Sequence, residues 1–232
     1  MGRPFRLIHV AGLLAVLLIA GAKSSEPFVQ SSQFDFKSLL APPPGQDSPQ
    51  FRDEVSQMLQ WQAERTDADV KRIQAEAKMT PFIFSDVLGS WFNAGNLPYT
   101  AKFLDQVMKN AASIDRDAKE DFARPRPFLL DSRIQPCVEK DKSYSYPSGH
   151  ATRSGVVALT LAEMFPEHKD ALLAKAWQIG SDRTLGGEHF PSDVVAGRIL
   201  AKAVFEKMAK NPDFQTDLAK AKAECLAAKP AK

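Results

Sequence analysis

Residues 147–165 read Pro-Ser-Gly-His-Ala-Thr-Arg-Ser-Gly-Val-Val-Ala-Leu-Thr-Leu-Ala-Glu-Met-Phe, and this segment determines the expected architecture. Pro147 is suited to the start of a helix, and the residues after it leave hardly any polar face. A helix that is apolar on nearly all sides is buried on all sides, so we expect it at the centre of a bundle. Its apolar positions are Val156, Val157, Leu159, Leu161, Met164 and Phe165.

Helical periodicity continues on both sides of this segment, whereas residues 128–146 show none and predict a long loop. No stretch has a convincing strand pattern, and no internal repeat is present. The prediction is therefore an all-α fold, a single-domain helical bundle over residues 51–228. The other predicted helices are two within 50–78 that are separated near Thr66, and single helices at 81–92, 100–113, 169–179, from Pro191, and 212–228.

The N-terminal residues 1–22 have the pattern of a signal peptide. Two arginines precede an almost entirely apolar run, and Ala20-Gly21-Ala22 offers the small residues at which signal peptidase cleaves. The alternative is an uncleaved membrane anchor. No later stretch reaches the ~20 apolar residues of a spanning helix, so we expect a periplasmic or secreted protein with no membrane span after cleavage.

Residues 23–50 are poor in regular pattern and contain three consecutive prolines, Pro42 to Pro44, which exclude a helix there. We expect an extended N-terminal arm that lies over the helical domain.

The charge balance excludes one class of partner. The chain has 30 basic and 28 acidic residues, and cleavage after Ala22 removes Arg3 and Arg6 but no acid, which leaves 28 against 28. A neutral domain lacks the basic footprint of a nucleic-acid-binding protein. Any concentration of positive charge must then be local.

The chain has two cysteines, Cys137 and Cys225. In an oxidising compartment an even number suggests one disulfide, which would tie the middle of the chain to its last helix. Two free buried thiols are the alternative.

Three short segments carry most of the unusual chemistry. They are Lys-Glu-Asp-Phe-Ala-Arg-Pro-Arg-Pro at 119–127, Tyr-Pro-Ser-Gly-His at 146–150, and Arg-Thr-Leu-Gly-Gly-Glu-His-Phe-Pro-Ser-Asp at 183–193. Each alone has an ordinary structural explanation, such as a solvated helix face or a helix cap. Their combination is more informative than any one of them.

Together the segments meet the needs of phosphoryl transfer, in which negative charge spreads over three equatorial oxygens. Lys119, Arg126 and Arg183 supply three cations, and the planar guanidinium groups suit phosphate. Ser148 and Gly149 lie at the start of a helix, where amides and the helix dipole favour an anion.

The same segments supply two imidazoles, His150 and His189, which are suited to titrate near a working pH. Asp193 follows His189 by four residues, close enough to accept the Nδ1 proton and leave Nε2 free to attack, as a carboxylate orients histidine in a catalytic triad.

The spacing Lys-x6-Arg-Pro, Pro-Ser-Gly-His and Arg-x5-His-x3-Asp resembles the signature of the type 2 phosphatidic acid phosphatase superfamily. Over residues 40–226 the chain looks like the bacterial class A nonspecific acid phosphatases. The resemblance implies the acid phosphatase/vanadium haloperoxidase-like fold and broad hydrolysis of small-molecule phosphate monoesters through a phosphohistidine. It also implies no metal, no other cofactor and a homodimer.

The resemblance assigns a role to each motif residue. His189 is the nucleophile, Asp193 orients it and His150 protonates the leaving group. The residues that it assigns to phosphate binding are Lys119, Arg126, Ser148, Gly149 and Arg183.

One residue departs from the family pattern: the family commonly has Ser directly before the arginine at 183, where this chain has Asp182. An acid beside Arg183 is expected to weaken its attraction for phosphate. The alternatives are a vanadate-dependent haloperoxidase, a membrane lipid phosphatase, or a relative that binds phosphate without turnover.

Overall fold

The computed structural model describes residues 26–230, and within this range the chain forms ten α-helices and no β-strand. The all-α prediction is therefore confirmed. The helices are α1 (Phe36–Leu39), α2 (Pro49–Glu64), α3 (Asp67–Glu76), α4 (Ser85–Leu88), α5 (Pro98–Phe122), α6 (Pro127–Leu130), α7 (Gly149–Met164), α8 (Lys169–Leu185), α9 (Pro191–Met208) and α10 (Pro212–Ala228).

Helix α7 is the predicted central helix, and it packs against α5, α8, α9 and α10. Its apolar residues are buried except Leu159, which is partly exposed, and its buried hydroxyl groups find acceptors in the backbone. Thr152 Oγ1 donates to the carbonyl of Ser148 at 2.9 Å, and Thr160 Oγ1 donates to that of Val156 at 2.9 Å. Because these polar groups are paired, the helix is buried without leaving donors unsatisfied.

The start of α7 and helix α9 lie close together at Gly197. A Cβ atom at this position would lie 2.6 Å from the carbonyl oxygen of Ser148, so only glycine fits. The amide of Ser148 also donates to the carbonyl of Asp193 at 2.9 Å. The start of α7 and the start of α9, which carry two of the three sequence motifs, are thereby fixed side by side.

Helices α5 and α8 are longer than the periodicity indicates. The predicted ends were Ser113 and Ile179, whereas the helices end at Phe122 and Leu185. Both extensions place charged residues on the buried side of the helix. These residues interrupt the apolar periodicity from which a helix is predicted. Those buried charged residues are Asp115 and Lys119 in α5, and Asp182 and Arg183 in α8.

The single helix predicted from Pro81 to Phe92 is wrong. A 3₁₀ turn, Pro81–Phe84, leads into the short α4, which ends at Gly89 with φ of 100°. Glycine adopts this left-handed region without the steric penalty of a Cβ atom, so the helix stops there. The break near Thr66 is confirmed, since α2 ends at Glu64 and α3 starts at Asp67.

Residues 26–48 run over the bundle before α2 begins. Phe28 and Val29 are buried, and Val29 exchanges two backbone hydrogen bonds with the Asn110 side chain of α5, at 2.9 and 2.6 Å. The predicted signal peptide, residues 1–22, lies outside the described residues. No helix between residues 26 and 230 combines the length and apolar character needed to cross a membrane.

The predicted disulfide is absent from this structure, where Cys137 and Cys225 are both free. Cys225 lies in the interface of α10 and α5, with Sγ 3.5 Å from Thr100 Oγ1. Cys137 donates its amide to the carbonyl of Gly186, directly after α8, and its own carbonyl accepts from Nε2 of Gln74 in α3 at 3.0 Å. The two cysteines thus have different neighbours, with Cys225 against α5 and Cys137 against α3 and the loop after α8.

Thiol titration checks this correction. Denatured, unreduced protein is expected to show two reactive sulfhydryl groups per chain. A protein with both cysteines changed to serine provides the blank. If no sulfhydryl group reacts before reduction and two react after it, Cys137 and Cys225 form a disulfide, and the placement of α10 is wrong.

Candidate active site

The three motifs converge around one cavity of about 180 Å³. Lys119 lies near the end of α5, Gly149 and His150 begin α7, and Arg126 and His189 lie just before α6 and α9; all five line the cavity. Ser148, Arg183 and Asp193 do not line it but are buried behind it. The structure thus brings together residues that are 74 positions apart in the chain, from 119 to 193.

His189 is buried between a cation and a carboxylate. Its Nε2 lies 3.1 Å from Nη1 of Arg126, and its Nδ1 lies 3.4 Å from Oδ2 of Asp193. Arginine can only donate, so Nε2 must accept and the proton belongs on Nδ1, toward Asp193. This tautomer leaves a lone pair on Nε2, which is what an attacking nitrogen requires.

Asp193 is held from several sides in addition to His189. The amide of Phe190 donates to Oδ2 at 2.8 Å, and Ser145 Oγ donates to the same oxygen. Nη1 of Arg124 pairs with Oδ1 at 2.6 Å. A carboxylate fixed by three donors cannot rotate away from the imidazole, which restricts the orientation of His189.

Arg124 is in turn fixed by Glu54 of α2. Nη2 of Arg124 lies 2.8 Å from Oε2 of Glu54, whose other oxygen accepts the amide of Ser192 at 2.7 Å. The guanidinium also lies 3.9 Å from the centre of the Phe190 ring. A buried chain of charges therefore runs from Glu54 through Arg124 and Asp193 to His189.

Burial lowers the pKa of His189 well below its usual value, and the nearby charges of Arg126, Lys119 and Arg183 lower it further. Each of these effects disfavours the imidazolium form. The imidazole therefore stays neutral in acidic solution, where an ordinary histidine would lose its lone pair to a proton.

Arg126 has a fully satisfied guanidinium group. Nε donates to the carbonyl of Ser143 at 2.8 Å, Nη2 lies 2.8 Å from Asp141, and Nη1 donates to the carbonyl of Glu188 at 3.0 Å. Its side chain is only 2% exposed. Such a group is oriented before any ligand arrives.

Arg183 is the contrasting case, because its Nε and Nη1 are buried and have no hydrogen-bond partner among residues 26–230. Buried donors without partners are costly and rare in native proteins. Their positive charge suits an anion that supplies the missing acceptors.

Asp182 does not have the expected effect on Arg183, since its carboxylate faces away toward α3. Nε and Nη2 of Arg72 bind its two oxygens at 2.8 and 2.9 Å. The carboxylate that acts most strongly on Arg183 is the buried Glu188, which directly follows Gly186 and Gly187. The predicted weakening by Asp182 is therefore not supported.

Lys119 donates from Nζ to the carbonyl of Tyr144. Burial lowers its pKa to about 8, and the neighbouring charge of Arg126 adds to this effect. Below that pH the ammonium is charged, so Lys119 is a cation throughout the acidic range.

His150 has a different environment from His189. Its Nε2 lies 3.3 Å from the carbonyl of Ala77, at the end of α3, and burial together with Arg183 and Arg153 lowers its pKa to about 3. A carbonyl can only accept, so Nε2 carries the proton and Nδ1 is the free nitrogen.

Several residues of the site were not predicted from the sequence. Arg124 lies within the first motif, two residues before Arg126, and its charge was a usable signal. Glu54 is 70 residues away from Arg124 in the chain and carried none. The other unpredicted residues in or against the site are Ala112, Asp115, Arg116, Asp141, Ser143, Ser145, Arg153 and Glu188.

A family model described as the PAP2 superfamily matches residues 101–208. A non-specific acid phosphatase of Salmonella typhi is 32% identical over 226 residues, which cover 91% of this chain and 88% of that protein. A non-specific acid phosphatase of Providencia stuartii is 33% identical over 208 residues, 85% of this chain and 84% of that protein. The chain belongs to the acid phosphatases of the PAP2 superfamily. It is therefore a phosphatase.

A solved structure described as the first bacterial vanadium-dependent iodoperoxidase shares the fold of this acid phosphatase. The TM-score is 0.60 at 17% sequence identity, and the match covers 76% of this chain and 53% of the iodoperoxidase. At this identity the likeness concerns the fold alone. Within residues 26–230 no group of three or more His, Cys, Asp or Glu side chains is placed to hold a metal ion.

Proposed function

We propose that this acid phosphatase hydrolyses phosphate monoesters of broad structure through a phosphohistidine at His189, without a divalent metal. The observation that supports the proposal most is that one site contains both a neutral His189, oriented by Asp193, and an Arg183 whose buried donors have no partner within residues 26–230. His189 is suited to act as the nucleophile, and Arg183 is suited to bind the negatively charged phosphate.

In the first step, the lone pair of His189 Nε2 attacks phosphorus, and the ester P–O bond breaks on the opposite side. His150 gives a proton to the departing oxygen. In the second step, water attacks phosphorus, His150 takes the proton from that water, and the P–N bond breaks. Asp193 stabilises the positive charge that develops on His189.

Phosphate binding must first break the hydrogen bond between Nη1 of Arg126 and Nε2 of His189, which lie 3.1 Å apart. A phosphate oxygen is a stronger acceptor for a guanidinium than a neutral imidazole nitrogen. Arg126, Arg183 and Lys119 then surround the equatorial oxygens, together with the first amides of α7, which have no acceptor within the helix.

The export part of the proposal rests on residues 1–22, which are expected to direct the protein to the periplasm or the medium before cleavage. We also propose that the protein is a homodimer, on the basis of its resemblance to the class A enzymes.

Release of p-nitrophenol from its phosphate ester tests the activity, and dialysis against EDTA tests the role of metal. We expect full activity after dialysis, because three cationic side chains supply the charge that a metal supplies elsewhere. Vanadate is expected to inhibit, because it mimics five-coordinate phosphorus. Loss of activity that added Zn²⁺ or Mg²⁺ restores would overturn the metal-independent mechanism, and a metal-dependent phosphatase treated in parallel shows that the dialysis works.

A further inference from the structure

The cavity extends beyond the proposed phosphate site along α5. Four of its lining residues, Ala112, Asp115, Arg116 and Lys119, fall on one face of this helix at intervals of three and four residues. Seven residues of helix span about 10 Å, which is longer than a phosphate group. The cavity therefore has one end at Lys119 and His189 and a second end at Ala112 and Asp115.

Asp115 has an incomplete set of hydrogen bonds at this second end. Its side chain is 7% exposed, and its buried Oδ2 has no hydrogen-bond partner within residues 26–230. Nε of Arg153 lies 3.5 Å from that oxygen but donates instead to the carbonyl of Gly149, at 2.9 Å. Burial raises the pKa of Asp115 to about 6, although the charges of Arg153, Lys119 and Arg116 act in the opposite direction.

Asp115 and Arg153 lie directly against the start of α7. A Cβ atom on Gly149 would lie 3.2 Å from both oxygens of Asp115 and 2.9 Å from Nη2 of Arg153. The pair is therefore adjacent to the glycine proposed to bind phosphate. A leaving group attached to that phosphate has room to extend toward the pair.

The chemical character of this end is polar. Of the residues that line the cavity within the described chain, none is Phe, Tyr or Trp, and Ala112 is the one aliphatic side chain. Aryl groups and nucleobases are usually held by stacking or apolar contact, which these residues do not offer. Hydroxyl groups both donate and accept, so they satisfy a carboxylate and a guanidinium at once.

We propose that this end of the cavity is a leaving-group subsite for polyhydroxylated alcohols, in which Asp115 accepts from a substrate hydroxyl and Arg153 donates to one. The inference rests on the proposed function and names its preferred substrates, the phosphate monoesters of sugars and polyols.

The test compares two esters that differ only in hydroxyl groups, glycerol 1-phosphate and n-propyl phosphate. The measured quantity is the ratio of their kcat/KM values, in which changes in enzyme stability or phosphate binding cancel. Wild-type protein is expected to favour the glycerol ester by about tenfold or more, the effect of one hydrogen bond to a charged group.

Asp115→Leu, which keeps the volume but removes the acceptors, should bring the ratio close to one, and Asp115→Asn should give an intermediate value. Asp117→Asn is the matched control, because Asp117 is exposed on the same helix. A wild-type ratio near one, or a ratio that Asp115→Leu leaves unchanged, would overturn the subsite while both esters are still hydrolysed. Failure to hydrolyse either ester would instead overturn the proposed function and the subsite with it.

Discussion

Replacing His189 with alanine is expected to lower turnover by about 10⁴-fold or more, because the variant has no nitrogen to attack phosphorus. The fold should survive, since Asp193 keeps its bonds to Arg124 and to the amide of Phe190. Phosphate should still raise the melting temperature of the variant, because Arg126, Arg183 and Lys119 remain. That measurement separates loss of the nucleophile from loss of the site.

His168→Ala is the matched control, because His168 lies beyond the opposite end of α7 and is partly exposed. It should retain full activity. Wild-type protein quenched in alkali during turnover should carry labelled phosphate on histidine, and His189→Ala should carry none. Residual activity above a few per cent in the His189 variant, or label that persists in it, would assign the nucleophile elsewhere.

The pH dependence of the same step follows from the burial of His189. Its pKa lies well below the usual value, so protonation of the nucleophile should not limit kcat/KM as the pH falls through 6.5. Exposure of the site to solvent would remove this protection. The arrangement thus gives a physical reason why the proposed histidine nucleophile would remain reactive at acidic pH.

The sequence predicted the motif residues because their chemistry is unusual and their spacing is short. Asp193 follows His189 by one helical turn, and Ser148 and Gly149 begin the helix whose apolar character is plain. Such local relations are readable without a structure. The all-α bundle and its central helix followed from the same kind of pattern.

What the sequence did not predict depends on contacts between distant segments. Glu54 holds Arg124 across 70 residues, and Arg72 turns Asp182 away from Arg183 across 110. Asp115 appeared to lie beyond the end of its helix, because a buried carboxylate interrupts the apolar stripe. Sequence periodicity assumes that buried positions are apolar, and an active site lined by charges breaks that assumption.

Replacing His150 with alanine is expected to slow alkyl and sugar phosphates by about 10²–10⁴-fold, the usual contribution of general acid catalysis. An alkoxide is a poor leaving group until it receives a proton, whereas p-nitrophenolate is stable as an anion. The loss with p-nitrophenyl phosphate should therefore be much smaller. The difference between the two ester classes, rather than either loss alone, identifies a proton donor.

Burial and the charges of Arg183 and Arg153 lower the pKa of His150 to about 3, so the imidazole is poorly protonated above that pH. A bound phosphate ester places negative charge against these arginines and removes much of their effect on the imidazole. The acid is therefore expected to form in the complex. The pH dependence of kcat reports groups that titrate in the enzyme–substrate complex. With alkyl esters, kcat should therefore fall at high pH as His150 loses its proton, and His150→Ala should lack this fall.

Steady-state rates do not isolate the first proton transfer, because in the proposed mechanism His150 is also the base that activates water in the second step. The burst of alcohol or nitrophenol release before that step isolates the first proton transfer. In the burst, His150→Ala should discriminate strongly between the ester classes, while His189→Ala should show no burst with either. Equal loss for both ester classes would mean that His150 has a structural role through its contact with Ala77. Another group would then supply the proton, and the first candidate is Asp115, whose pKa burial raises to about 6.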